Sequence, residues 1–480
     1  MRMRLLVGLL IGCSNLAAQT HMSDVVKSFV KVSAPVVALT HVRLIDGTGA
    51  APAEDQTVII EGGRIRAVGN SSAISAPAGA TVLDLTGYTV IPGLVGMHDH
   101  MFYPSPRTAR GAPPVYTELA YSGPRLYLAG GVTSLRTTGS IEPYTDLAVK
   151  KLIDSGVAPG SKIHVTGPYL EGVGSYTPNM HELTGPDDAR KTVEYWADEG
   201  ATSFKAYMHI TRAELSAAIE AAHQRHIKLT GHLCSIGFRE AAALGIDDLE
   251  HGLEVDTEFD PGKAPDVCPS QAETLKTLAA LDVESQPVQD TIRDLVARHV
   301  AVTSTLPVFE TLVGPRPPLE SRVLDSLAPE LRSDYLTTRA RLSGFDAATS
   351  PEAVVLKKEM QFEHDFSKAG GLLLAGLDPT GYGGVLPGFG DQREVELLVE
   401  AGFTPVEAIE IATANGARFL GELDQIGTIE PGKSADLAVI HGNPAADIND
   451  IEKVETVFKD GVGYDSVKLI ESVRGQVGLH

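Results

Sequence analysis

The stretch GLVGMHDH, residues 93–100, ends an apolar run in two histidines set around one aspartate. Side chains alternate along a strand, so His98 and His100 share one face and Asp99 points to the other. Two imidazoles one strand repeat apart can grip a single metal ion; a polar loop that merely contains two histidines is the alternative. Further groups able to bind metal or move protons recur at the ends of short apolar runs downstream: Lys205 in TSFKAYM, His232 in IKLTGH, His251 in DDLEH and Asp378 in LLLAGLD. Singly, each has an ordinary explanation as a buried histidine, a helix cap, a turn aspartate before Pro379 or a lysine paired with a carboxylate. Together they are six metal- or base-competent side chains in one recurrent setting. His223, His226 and His364 fall on helical stretches and read as ordinary surface residues, an internal control. His164, His181 and His209 lie near the same positions without a spacing that compels a role.

The elements that must position these groups follow from the rhythm of residues 93 to 426. Short apolar strands alternate with helical stretches, and with GLVGMHDH as the first strand there are eight β-then-α units. That tally predicts an α/β protein built on a (β/α)8, TIM-type barrel. In such a barrel the C-terminal strand ends form one rim, where all six groups would meet. Helix starts carry their own signatures. Thr211 with Glu214 and Thr404 with Glu407 fit capping boxes, Pro405 takes a first helical position, and Ser350-Pro351 opens another helix. Residues 306–350 exceed an ordinary connection and are expected to form a lid or extra helices over the barrel mouth. On either side, residues 36–92 and 427–465 share a texture of short β-rich runs and glycine turns, which predicts a small composite β-sandwich domain built from both termini. Residues 466–480 read as a tail.

GTIEPGKS, residues 427–434, matches a phosphate-binding loop pattern, but the context is inverted. Such a loop needs a strand before it and a helix N-terminus after it. Here a helical stretch precedes and the strand-like ADLAVI follows, and Pro431 removes an amide that would face the phosphate. A turn between barrel and β-domain explains the glycines.

The chain has 480 residues and a formal net charge of −22, which argues against nucleic acid or anionic lipid as a partner. MRMRLLVGLLIGCSNLAAQT, residues 1–20, reads as an export signal with Arg2 and Arg4 before a short apolar core. Cleavage before Cys13 would leave a lipid-anchored protein; cleavage near Ala17 and Ala18 would free a periplasmic or secreted one. No other run is long and apolar enough to be transmembrane. Cys234 and Cys268 are the cysteines that remain, and both a bridge and two free thiols are open readings.

The pieces VIPGLVGMHDH, the lysine of TSFKAYM, TGH, LEH, LLLAGLDP and GTIEPGKSADLAVI resemble the amidohydrolase superfamily of metal-dependent hydrolases, in an imidazolonepropionase- or prolidase-like branch, over about residues 37–465. The resemblance implies the same barrel and composite β-sandwich. It implies that His98, His100 and Asp378 hold one divalent ion and His232 and His251 a second. Lys205, resembling the lysine of binuclear members, would be N6-carboxylated and bridge both, since an unmodified ammonium cannot coordinate a cation. The ligand mix suits zinc, with iron, cobalt or manganese as other candidates. Two such ions would polarise a scissile carbonyl and acidify a water, with Asp378 passing its proton to the leaving amine. Tyr207 is expected to hydrogen-bond substrate or the developing oxyanion, against a packing role. Arg136 is expected to meet a substrate carboxylate, against a structural ion pair, and Thr137 stands where similar barrels often carry an acid. Tyr382, in the glycine-rich loop after Asp378, is expected to gate the pocket. The implied activity is hydrolysis of an amide or peptide-like C–N bond in a small molecule, a dipeptide or N-acyl amino acid. The alternatives are a cyclic amide, lactone or imidazolone ring, and, from another class, a non-catalytic binding barrel. A homo-oligomer is compatible with the sequence, but no segment predicts its interface.

Overall fold

Eight short parallel strands run through the middle of the chain: β1 Leu94–Asp99, β2 Val132–Thr137, β3 Lys162–His164, β4 Ser203–Ala206, β5 Lys228–Gly231, β6 Asp248–Glu250, β7 Ala301–Ser304 and β8 Leu373–Ala375. The computed structural model to which they belong describes residues 22–106, 113–314, 316–381 and 383–479. The expected export signal with Cys13, and Tyr382, lie outside these residues. β1, β2, β4, β6, β7 and β8 are buried at every position, which is why they read as near-continuous apolar runs instead of alternating ones.

Hydrogen bonding groups them into a sheet β3-β2-β1 and a sheet β4-β5-β6-β7-β8, parallel throughout. Parallel bridges from Thr166 to Ser203 and from Leu170 to Ala206 join the two on one side. On the other, the amide of Asp378 donates to the carbonyl of His98 at 3.0 Å. This junction depends on Gly376, where a Cβ would fall 2.5 Å from the amide nitrogen and 2.7 Å from the Cα of His98. Any larger residue would push β8 off β1 and open the seam that the two carry between them. The arrangement is α/β and consistent with the expected barrel.

Helices between the strands bury one face on this core. The helix Arg212–Gln224 starts in the predicted capping box, Thr211 with Glu214, and Pro405–Glu410 starts in the one formed by Thr404 and Glu407. Ser350 caps Pro351–Lys368 by accepting from the amide of Ala353. The long segment after β7 carries three helices, Leu306–Glu310, Ser321–Ser326 and Pro329–Leu342.

Strands from both ends of the chain share a nine-stranded sheet, in which Leu437–His441 pairs antiparallel with Tyr88–Pro92. The sheet has its own apolar core, with Val37, Leu39, Val58 and Ile60 from one end against Leu437, Val439 and Phe458 from the other. The segment beyond residue 465 packs as well: the helix Ser466–Glu471 anchors Ser466 Oγ to the carbonyl of Ala129 at 2.7 Å, and Val473 and Val477 are buried. In the phosphate-loop look-alike, Lys433 Nζ is bound internally to the Leu423 carbonyl and to Thr428 Oγ1, with the strand Leu437–His441 following, as the turn reading requires.

Candidate metal centre

Asp378 follows β8 by three residues, and its backbone holds a left-handed φ of 48°. His251, directly after β6, is left-handed too, with φ of 72°. Non-glycine residues adopt this region at a cost of about 1–3 kcal/mol, a strain that concentrates at functional sites. Both kinks turn their side chains toward one point.

The Asp378 carboxylate is the hub. His98 Nε2 lies 3.7 Å from its Oδ2, His251 Nε2 3.9 Å from the same oxygen, and His100 Nε2 3.5 Å from its Oδ1. Lys205 Nζ, on β4, lies 3.0 Å from His98 Nε2. The ring of His232, after β5, stands 4.4 Å from that of His251. The six predicted side chains therefore meet, and the ligand atoms of His98, His251 and Asp378 lie within 4.8 Å of one another. His232 is partly exposed, while the other five are 7% exposed or less.

Each inward Nε2 is set by what holds the opposite ring nitrogen. His98 Nδ1 pairs with Glu250 Oε2 at 2.7 Å, His100 Nδ1 with the Gly139 carbonyl at 3.2 Å, and His251 Nδ1 with Thr305 Oγ1 at 2.7 Å. Such outer partners fix tautomer and orientation in metal sites. Sequence reasoning missed Glu250 and Thr305, although one immediately precedes His251 and the other ends the strand-like run VAVTST.

The electrostatics suit a cation. Burial, then the charge of Lys205, pushes His98 well below its ordinary pKa and His232 down to about 3. Burial likewise lowers His100 and His251, so the four imidazoles are neutral, the form that binds metal. Burial works against ionisation of Asp378, but the facing His100 and the neighbouring positive charge hold its carboxyl well below the usual range. His251 Nε2 and Asp378 Oδ1 are buried with no hydrogen-bond partner among the described residues. Orphaned donor atoms of this kind, converging in a buried site, fit a bound divalent ion. Burial also lowers Lys205 to about 8, enriching the neutral amine that could react with CO2.

Two other expectations resolve differently. Arg136 is 1% exposed and does not stand free for a substrate carboxylate. Its guanidinium donates to the Met97 carbonyl at 2.9 and 2.5 Å, to Asp248 at 2.9 Å and to Glu250 at 3.0 Å. The structural ion pair is the alternative that the fold realises, with the acids supplied by β6 instead of by position 137. Tyr207 lies beside the centre, its ring 4.9 Å from that of His232. His164, His181 and His209 engage Glu422, Asp188 and Glu171. Cys234, two residues after His232, is bridged to Cys268.

Residues 377–463 match the model of the Amidohydrolase family. The chain is 26% identical over 406 residues to a dihydroorotase of Pelotomaculum thermopropionicum, covering 82% of this chain and 86% of that protein. Among solved structures, a Xaa-Pro dipeptidase with bound methionine superposes with a TM-score of 0.67 at 21% identity, covering 90% of this chain and 100% of the other. A bottromycin amidohydrolase superposes with a TM-score of 0.68 at 20% identity, covering 92% and 91%. At such identities the superpositions speak for the fold alone. The family-model match and the dihydroorotase relative support the amidohydrolase superfamily and a hydrolase acting on carbon–nitrogen bonds.

Proposed function

We propose that the chain is an exported metal-dependent amidohydrolase that cleaves an amide or peptide-like bond of a small molecule, a dipeptide or N-acyl amino acid. The observation that carries this reading is the convergence of three imidazole Nε2 atoms on the Asp378 carboxylate, with Lys205 Nζ against that of His98. In it, β1 to β8 close as a (β/α)8 barrel, and the sheet shared by both chain ends is its composite β-sandwich domain. His98, His100 and Asp378 would hold one divalent ion, zinc by the donor set, and His232 and His251 a second, with Lys205 N6-carboxylated between them.

Divalent ions bound there supply Lewis acidity toward a scissile carbonyl and lower the pKa of a water. The chain's own groups do the rest. Asp378 Oδ1, which takes no hydrogen bond among the described residues, accepts the proton of the attacking water and returns it to the departing nitrogen. Tyr207 keeps its phenol proton, because burial raises its pKa well above the ordinary value, so it can donate to the carbonyl oxygen. Export is supported by the N-terminal pattern and by the Cys234–Cys268 bridge, since disulfides persist in oxidising compartments.

A second reading, opening of a cyclic amide, is favoured by the dihydroorotase and imidazolonepropionase relatives. A panel of dipeptides, N-acyl amino acids and cyclic amides, assayed with metal-loaded protein, decides between them. Turnover of linear amides abolished in Asp378→Asn supports the first reading, and turnover confined to rings replaces it with the second.

A further inference from the structure

Five aromatic rings stand along one side of the centre. Phe102 stacks on His100, ring centroids 4.3 Å apart, and Tyr169 and Tyr207 meet at 4.8 Å. Lys205 Nζ lies 5.6 and 5.8 Å from the rings of Tyr169 and Tyr207. The hydroxyls of Tyr207, Tyr176 and Tyr116 form a chain with successive separations of 3.2 Å. Phe102, Tyr116, Tyr169 and Tyr207 belong to one buried cluster, and Tyr176, 37% exposed, brings it to the surface. The array thus runs unbroken from the inner imidazoles to solvent.

It carries no formal charge. Two contacts link the three phenols, so one hydroxyl proton remains beyond the chain, that of Tyr207 in the proposed reaction, and the rest of the array is ring surface. Glu118, opposite Phe102 on its hairpin, is pushed up to about 9 by burial and is neutral. Arg136, the cation expected to meet a substrate anion, is spent on Asp248 and Glu250. An anionic substrate group laid on the outer part of this wall, away from Lys205, would lose water and find no counter-charge, whereas an apolar group loses nothing and gains ring contacts.

We infer that this aromatic wall is the subsite for an apolar or aromatic group adjoining the scissile bond, so that the enzyme selects amides with a hydrophobic group there over those with an anionic one. This rests on the amide-hydrolase reading and names the substrate class for it. The test uses two metal-anchoring probes, 3-phenylpropionohydroxamate and succinic monohydroxamate, titrated calorimetrically into metal-loaded protein. The phenyl probe is expected to bind at least tenfold tighter, with the ratio falling below threefold in Tyr176→Ala and retained in Tyr176→Phe. Equal affinities, tighter binding of the succinic probe, a ratio untouched by Tyr176→Ala, or no binding of either probe would overturn the assignment. Turnover of a general amide panel by the same preparation reports separately on the amide-hydrolase reading.

Discussion

Glu250 Oε2 lies 2.7 Å from His98 Nδ1, across 152 residues of sequence, on the strand that also delivers His251. One β6 position therefore orients a candidate ligand on β1 while its neighbour is itself a candidate ligand. Replacing Glu250 with Gln keeps the shape and removes the charge that holds the His98 tautomer. A 10- to 100-fold loss of metal affinity is expected, the usual effect of deleting such a partner. Competition against a chelator of known affinity measures it, and unchanged affinity would show that Glu250 does not support the site.

Arg136 neutralises two acids, Asp248 and Glu250, in a fully buried setting. Arg136→Met strips the cation from both, and breaking a buried ion pair from one side costs about 3–5 kcal/mol. A lowered denaturation midpoint should follow. A variant of parental stability whose only defect was a raised KM for acidic substrates would restore Arg136 to the substrate.

Glu363, on the helix Pro351–Lys368, is fully buried and pushed up to about 7 by burial. The folded state keeps its proton where the unfolded chain, with an ordinary carboxyl near 4.3, has released it. Bound protons are then more numerous in the native state between about pH 4.5 and 7, so this group's contribution to stability falls as pH rises through that window. Thermal midpoints measured from pH 5 to 8 should drop less steeply in Glu363→Gln than in the parent. Parallel curves would mean the carboxyl is ionised in the fold.

The Cys234–Cys268 bridge closes 34 residues beside His232. Loops of that size are stabilised by about 2–4 kcal/mol through restriction of the unfolded chain. Reduction, or a double serine variant, is expected to lower the melting temperature accordingly, and an unchanged melting temperature would remove the bridge from the account.

How much of this was readable beforehand depended on where each group sits relative to its own strand. His98, His100, Lys205, His232, His251 and Asp378 could be picked out because each stands at or just past the end of an apolar run, and the parallel architecture gathers such ends. The helix caps at Thr211, Thr404 and Ser350 were readable because their partners are three residues away. Glu250 was not, since its partner lies on a strand 152 positions earlier and no local pattern links them. Arg136 failed for the same reason: the acids that claim it lie 112 and 114 residues downstream, beyond any spacing rule. The seam at Gly376 is equally invisible in sequence, because what forbids a side chain there is the backbone of His98.

The most direct test of the centre is the number of metal ions per chain in purified protein, measured beside Lys205→Ala. Two ions in the parent, with the variant losing at least one and its amide turnover, is the predicted result. One ion or none in the parent, or a metal content indifferent to Lys205, would contradict the bridged binuclear centre.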